Sequence, residues 1–275
     1  MMNTDLKRSL QTKCSHLDIP LMGVASAESW EVAPFHPWVP PAFQPRSIWP
    51  EVNSVIVIGL PIDLPVIETT PSIYYHELYK TVNTLLDHTA YRLARFLDEK
   101  GFPSIYLPRD GYGSLSVLSS SPYAFFSHRH AAYLAGLGNF GVNNMLLTPQ
   151  YGPRVRFTSI FTTAELPADK LMEERLCVRC MRCARSCPVR ALDEEDYPQG
   201  LAHKEVCSKY NEQLYRRHIS PCGVCIKVCP VGEDRKRFER TAPDLYENKE
   251  KYPTLHQAWR HVRSYGGVRK PNNSD

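Results

Sequence analysis

Apolar positions recur along the chain with two different periods. Leu6, Leu10 and Leu17 share one side of a helix expected over residues 4–18, and Leu21-Met-Gly-Val-Ala25 reads as a short strand. Ser54-Val-Ile-Val-Ile-Gly-Leu60 is continuously apolar and β-branched, which predicts a strand buried on both faces. The longest periodic stretch spans residues 73–100. Leu78, Val82, Leu85, Leu86, Leu93 and Leu97 form its apolar stripe, and Gly101 followed by Pro103 ends it. Ser104-Ile-Tyr-Leu107 predicts another strand, followed by a Gly/Ser-rich loop from Arg109 to Pro122 that either edges a site or is a loose surface loop. His128 to Gly138 reads as a helix running into a glycine-rich turn, and Arg154 to Thr163 alternates like a strand. Residues 33–50, crowded with prolines and aromatics from Pro34 to Pro50, exclude regular helix and central strand. They predict an extended arm covering a core or a ligand.

This order predicts an α+β chain: an N-terminal α/β domain over residues 1–165, bounded by Pro167, then a cysteine-rich module over 166–235. The remainder, 236–275, is a charged tail, helical around Leu255–Val262 and ending in a polar stub. With 43% hydrophobic and 23% charged residues in 275, the composition is that of a soluble globular protein. The formal net charge of +4 is too mild to argue for nucleic acid. The first residues lack the apolar core of a signal peptide, and the run Ser54–Leu60 is too short to span a bilayer. A cytoplasmic protein without a membrane partner is the expectation.

The cysteines change the picture most. Eight of the nine lie between Cys177 and Cys229. Cys177, Cys180, Cys183 and Cys187, followed by Pro188, make the C-x2-C-x2-C-x3-C-P run of bacterial ferredoxins. In that pattern three thiolates hold one cluster and the fourth reaches across to another. Cys222, Cys225 and Cys229-Pro230 repeat the tail of the run, with Ile219 in place of the first cysteine and Cys207 upstream as its replacement. The expected ligand sets are Cys177, Cys180, Cys183 and Cys229 for one [4Fe–4S] cluster, and Cys207, Cys222, Cys225 and Cys187 for the second. Soft thiolates suit iron–sulfide cores. Two four-cysteine zinc sites are the competing structural reading, although zinc ligands usually come as separated pairs. Cys14, far from the rest, is expected to be a packed or exposed thiol.

Gly136-x-Gly138-x-x-Gly141 matches a dinucleotide fingerprint by letter, but the glycines follow a helical segment, which argues against that use. They allow close approach of backbone to a cofactor or to a neighbouring domain.

With those elements placed, the chain resembles the epoxyqueuosine reductase and reductive dehalogenase superfamily. The matching pieces are Arg46-Ser-Ile-Trp-Pro50 before the Ser54 strand, Phe96-Leu-Asp-Glu-Lys-Gly101, Ala135-Gly-Leu-Gly-Asn-Phe-Gly-Val-Asn143, Leu146 to Arg156, and the displaced second motif with Cys207. The resemblance implies a cobalamin or other cobamide in the N-terminal domain, fed by two [4Fe–4S] clusters. Gly136, Leu137, Gly138, Gly141 and Asn143 would line its pocket. Two features depart from the epoxyqueuosine reductases. Pro122-Tyr-Ala-Phe125 stands where those enzymes carry an Asp-Ser-Ala-Pro motif, and the chain is too short for their C-terminal repeat domain. Both weigh against tRNA as a partner. The chain also lacks the export signal and extra length of respiratory dehalogenases.

A reductase of this kind needs a proton donor, and Tyr123, His128 and His130 lie nearest the lost acid. The histidines fit a helix surface equally well. Arg154 and Arg156 fit either an anion site or a solvated strand face. Three functional readings share the clusters: a cobamide-dependent reductase of a small molecule or modified nucleoside, an electron-transfer protein reducing the corrinoid of a partner protein, and a cobamide or flavin carrier. A ferredoxin or flavodoxin is the expected electron donor.

Overall fold

Strand β2 (Ser54–Pro61) runs through the middle of the N-terminal half and is buried along most of its length. In the computed structural model, which describes residues 3–31, 40–111, 113–120, 124–200 and 203–265, it lies in a four-stranded sheet. The other strands are β1 (Leu21–Ser26), β3 (Ser104–Leu107) and β6 (Val155–Thr162), in the order β1-β2-β6-β3. Every pairing is antiparallel, with Ser26 opposite Ser54, Ser54 opposite Thr162, and Ser104 opposite Thr162. Two further strands, β4 (Asn139–Phe140) and β5 (Leu146–Leu147), make a small separate ladder.

The sheet is covered on both faces, so its strands are apolar at consecutive positions. Val24, Ile56, Ile58 and Ile160 pack with Leu6 and Leu10 of α1 (Thr4–His16) and with Leu86 and Leu93 of α2 (Ile73–Glu99). Ala25, Val55, Val57 and Phe161 point the other way, onto Trp30, Phe126, and Ala131 and Leu134 of α4 (His128–Leu134). Each fully buried aliphatic side chain contributes roughly 1.5–3 kcal/mol. Side-chain caps start both long helices: Asn3 accepts from the Leu6 amide at 3.1 Å, and Ser72 from the Tyr75 amide at 3.2 Å. Cys14 is buried within α1.

Three sequence expectations need correction. Leu85 is half exposed, because the buried line of α2 runs through Val82, Leu86, Ala90, Leu93 and Leu97, one helical step away. The loop after Arg109 contains a short helix, α3 (Leu115–Ser120). Of the proline-rich arm, residues 32–39 lie outside the described residues. The rest forms tight turns at Pro41–Phe43 and Pro45–Ile48, the latter with proline at its first position. Phe43, Ile48 and Trp49 pack on the second core.

Residues 240–259 fold back on the sheet domain. Arg240 donates to Glu68 at 2.7 Å, and Trp259 of α6 (Pro253–Tyr265) donates its indole N–H to the Thr69 carbonyl at 2.6 Å. Among the described residues no helix is long and apolar enough to cross a membrane.

Arg154, just before β6, is fully buried rather than on a solvated face. Its guanidinium meets both carboxylate oxygens of Asp234 and the Val231 carbonyl, joining the sheet to the cysteine-rich module. Removing one partner of a buried ion pair leaves an uncompensated charge. Asp234→Ala should therefore lower unfolding free energy by about 3–5 kcal/mol in anaerobic chemical denaturation. A loss within about 0.5 kcal/mol, typical of an exposed site, would contradict this role.

Candidate functional site

The cysteine-rich module is mostly loop, bent by residues with left-handed backbone. Arg179 (φ 50°) and Met181 (φ 56°) turn the chain between Cys177 and Cys183, and a helical turn at Arg182–Arg185 leads to Cys187. In the second run Gly223 has φ 68°, and a Cβ there would stand 2.7 Å from the Tyr75 ring and 2.8 Å from the Thr70 hydroxyl. Glycine is required on both counts.

The structure sorts the thiols into two groups. Cys177, Cys180, Cys183 and Cys229 surround a small hollow with Gly141, Val142 and Asn143. Cys187, Cys207, Cys222 and Cys225 all line the wall of a larger cavity of about 430 Å³ between the module and the sheet domain. Cys180 is exposed, whereas burial pushes the Cys225 thiol well above its ordinary range and the Cys183, Cys222 and Cys229 thiols up to about 11. Free thiols so placed stay protonated at neutral pH. A bound iron–sulfide core would hold them as thiolates. Four thiols around one hollow fit the donor set of a [4Fe–4S] cluster.

Short hydrogen bonds hold this second group against the sheet domain. The Thr70 hydroxyl donates to the Cys222 carbonyl at 2.6 Å, and His76 Nδ1 meets the Ser220 carbonyl at 2.6 Å. Asn143 donates to the Cys225 carbonyl at 3.2 Å and accepts from the Met145 amide at 3.2 Å.

The far wall of the cavity is built by α2, β6 and the loop after β3. Tyr75, Tyr79, Phe43 and Phe157 supply aromatic surface. Arg156 donates to Asn83 and to Asp110, each at 3.0 Å, and its guanidinium lies 4.4 Å over the Tyr79 ring. The Tyr79 hydroxyl lies 3.4 Å from Asp110. Burial raises the Tyr79 pKa, and the Arg156 charge opposes that rise. Arg129 also lines the cavity. Its guanidinium donates to the Asn144 carbonyl, and burial lowers its pKa.

His128 and His130 line this cavity, but each has both ring nitrogens engaged. His128 Nδ1 meets the Ser159 hydroxyl at 3.0 Å and Nε2 the Pro108 carbonyl at 3.1 Å. That carbonyl can only accept, so Nε2 carries the proton of a neutral ring. His130 Nδ1 meets the Ser127 hydroxyl at 2.5 Å and Nε2 the Tyr197 hydroxyl at 2.7 Å. Burial lowers His128 to about 4 and His130 to about 3. Tyr123 lies outside the described residues.

The glycines of the turn approach protein rather than the large cavity. A Cβ at Gly136 would meet the Lys170 carbonyl at 2.1 Å, and one at Gly138 the Leu147 carbonyl at 1.9 Å. Gly141 borders the small hollow, and Leu137 packs on the second core. Of these predicted pocket residues, Asn143 lines the cavity. Tyr75, Tyr79, Asn83 and Asp110 were missed by sequence reasoning. The signal available was the polar stripe at 75, 79 and 83, spaced four apart beside the apolar face of α2.

Comparison with known proteins agrees with the cysteine chemistry. Residues 173–193 match the 4Fe-4S binding domain family, Fer4. The chain is 27% identical over 284 residues to a tetrachloroethene reductive dehalogenase of Desulfitobacterium hafniense, covering 96% of this chain and 47% of that one. It is 26% identical over 254 residues to an epoxyqueuosine reductase of Synechococcus sp. (strain RCC307), covering 83% of this chain and 76% of the relative. The chain thus spans about half the length of the dehalogenases it matches, 47% in that instance. A solved reductive dehalogenase, described as suggesting a mechanism for B12-dependent dehalogenation, shares the fold with a TM-score of 0.59 at 17% identity. That likeness covers 93% of this chain and 36% of the other. The chain is therefore a homologue of the reductive dehalogenases and epoxyqueuosine reductases, with a 4Fe–4S binding domain in its cysteine-rich module.

Proposed function

We propose that this protein is an iron–sulfur oxidoreductase in which two [4Fe–4S] clusters pass electrons to a cobamide held in the large cavity, for reduction of a small organic molecule or modified nucleoside. One observation carries the reading: all four thiols of the second group open onto that cavity, while the first group includes the exposed Cys180. Electrons from a soluble carrier such as a ferredoxin or flavodoxin would enter at the first group and leave at the second.

The cavity fits a flat, amide-fringed macrocycle in chemical character. Tyr75, Tyr79, Phe43 and Phe157 give it apolar walls, and Asn143, Arg129 and Arg156 give it hydrogen-bonding groups. When bound, the cobamide supplies the low-potential cobalt chemistry. The chain itself excludes bulk water, orients the substrate and delivers a proton. Tyr79 is the group placed for that delivery. Its raised pKa keeps the proton on at neutral pH, and the Arg156 guanidinium stabilises the phenolate left behind. His128 and His130, held neutral by burial and fixed by their partners, orient the walls instead.

Protein purified anaerobically and supplied with hydroxocobalamin should retain a corrinoid spectrum through gel filtration. If it takes up no corrinoid yet reduces a separate corrinoid protein, the cavity reading fails and an electron-transfer role replaces it.

Tyr79→Phe should lower turnover by about 10²–10⁴-fold while corrinoid uptake is unchanged. An unchanged rate removes Tyr79 from the mechanism. The depressed histidines also predict a pH signature. A folded pKa of about 4 for His128 and about 3 for His130 leaves both rings neutral throughout the range in which free histidine titrates, near 6.5. The pH–rate profile should show no histidine limb between about pH 5 and 8. A limb near 6.5 that vanishes in His128→Gln or His130→Gln would contradict this assignment.

A further inference from the structure

The second thiol group contains one ligand carried by a twelve-residue helix, whereas Cys187 and Cys222 lie in loops and Cys225 in the helical turn Val224–Lys227. Cys207 sits in the first turn of α5 (Lys204–Tyr215), whereas the usual position of its cysteine is filled by Ile219, which is buried. The Cys207 amide is bonded to the His203 carbonyl at 3.3 Å, and the residues that follow lie within the helix, whose own carbonyls take their amides. Four other thiols of the module receive a backbone amide: Cys187 from Ala191 at 3.2 Å, Cys183 from Ala184, Cys222 from Val224 and Cys229 from Val231. For Cys207 a side chain takes their place. Asn211, one helical turn further on, points its amide nitrogen to Cys207 Sγ at 3.5 Å and to the Cys207 carbonyl at 2.8 Å. Its Oδ1 accepts from the Cys222 amide at 2.8 Å. One side chain therefore bridges the displaced ligand and the first cysteine of the loop, at the wall of the cavity.

We propose that Asn211 is the positioning residue that brings the displaced Cys207 into the cavity-side cluster, and that its N–H···S hydrogen bond holds that cluster's potential up. The inference rests on the two-cluster reading above. An N–H donor stabilises the added negative charge of the reduced cluster more than it stabilises the oxidised one, so its removal lowers the potential. Because the donor is a side chain, mutation can remove it without touching a ligand.

The test is an EPR-monitored redox titration of anaerobic wild-type protein, Asn211→Asp and Asn211→Leu, with iron measured on each sample. Asn211→Asp keeps the acceptor for the Cys222 amide and loses the donor to sulfur. Asn211→Leu loses both. In Asn211→Asp one midpoint should fall and the other stay at its wild-type value, with about eight irons per chain retained. Asn211→Leu should show the same selective fall or lose one cluster, leaving about four irons and the other midpoint intact. Selective loss of one cluster in Asn211→Asp supports the positioning role as well. Unchanged midpoints at full iron content, an equal shift of both, or loss of both clusters together would overturn the proposal. Wild-type protein with a single cluster, or with zinc, would instead overturn the two-cluster reading before any variant is compared.

Discussion

The arrangement rests on an exchange of thiols between two loops. The first cysteine run contributes three thiols to the small hollow and sends Cys187 to the cavity wall. The second run lines the cavity with Cys222 and Cys225 and sends Cys229 back to the hollow. Neither group of four is complete without both loops, so binding at one group fixes part of the other. The prolines after Cys187 and Cys229 turn the chain away once each thiol has crossed. A module with so little regular structure depends on such cross-links for its order.

The module is also tied to a rigid support. The antiparallel sheet, packed on both faces, presents β6 and α2 toward it. Arg154 at the start of β6 grips Asp234 and Val231, while Thr70 and His76 hold the backbone on either side of the Ser220–Cys222 turn. The cavity lies where these elements face one another. One wall is therefore sulfur-bearing and the other aromatic and cationic. Arg156 and Arg129 are partly buried there, so their charges are screened less than they would be on an open surface. On the proposed function, the sulfur-bearing wall would supply electrons and the opposite wall a proton with its counter-charge.

Legibility in the sequence followed the range of the interactions. Cysteine spacing is local, because one loop must wrap one core, and it carries the grouping of the thiols in its letters. Continuous β-branched runs likewise announce strands covered on both faces, as in Ser54–Pro61. The helix at Leu115–Ser120 was hidden because Gly and Ser dominate its neighbourhood. The antiparallel order of the sheet depends on pairings between residues about fifty to a hundred apart, such as Ser104 with Thr162 and Ser54 with Thr162. The histidines show the same limit. Their residue type suggests proton transfer, but only the fold reveals that Ser159, Pro108, Ser127 and Tyr197 occupy their nitrogens. Arg154 and Arg156, ambiguous as letters, became a buried partner of Asp234 and a partly buried partner of Asp110.

The central claim is that both thiol groups hold iron–sulfur cubes, so that current can reach the cavity. Mössbauer spectroscopy of anaerobically prepared, iron-57-enriched protein addresses it most directly, with metal and acid-labile sulfide quantified alongside. The account predicts that essentially all the iron appears as [4Fe–4S] clusters, at about eight irons and eight sulfides per chain. Zinc in place of iron, or about four irons confined to one cluster, would contradict it.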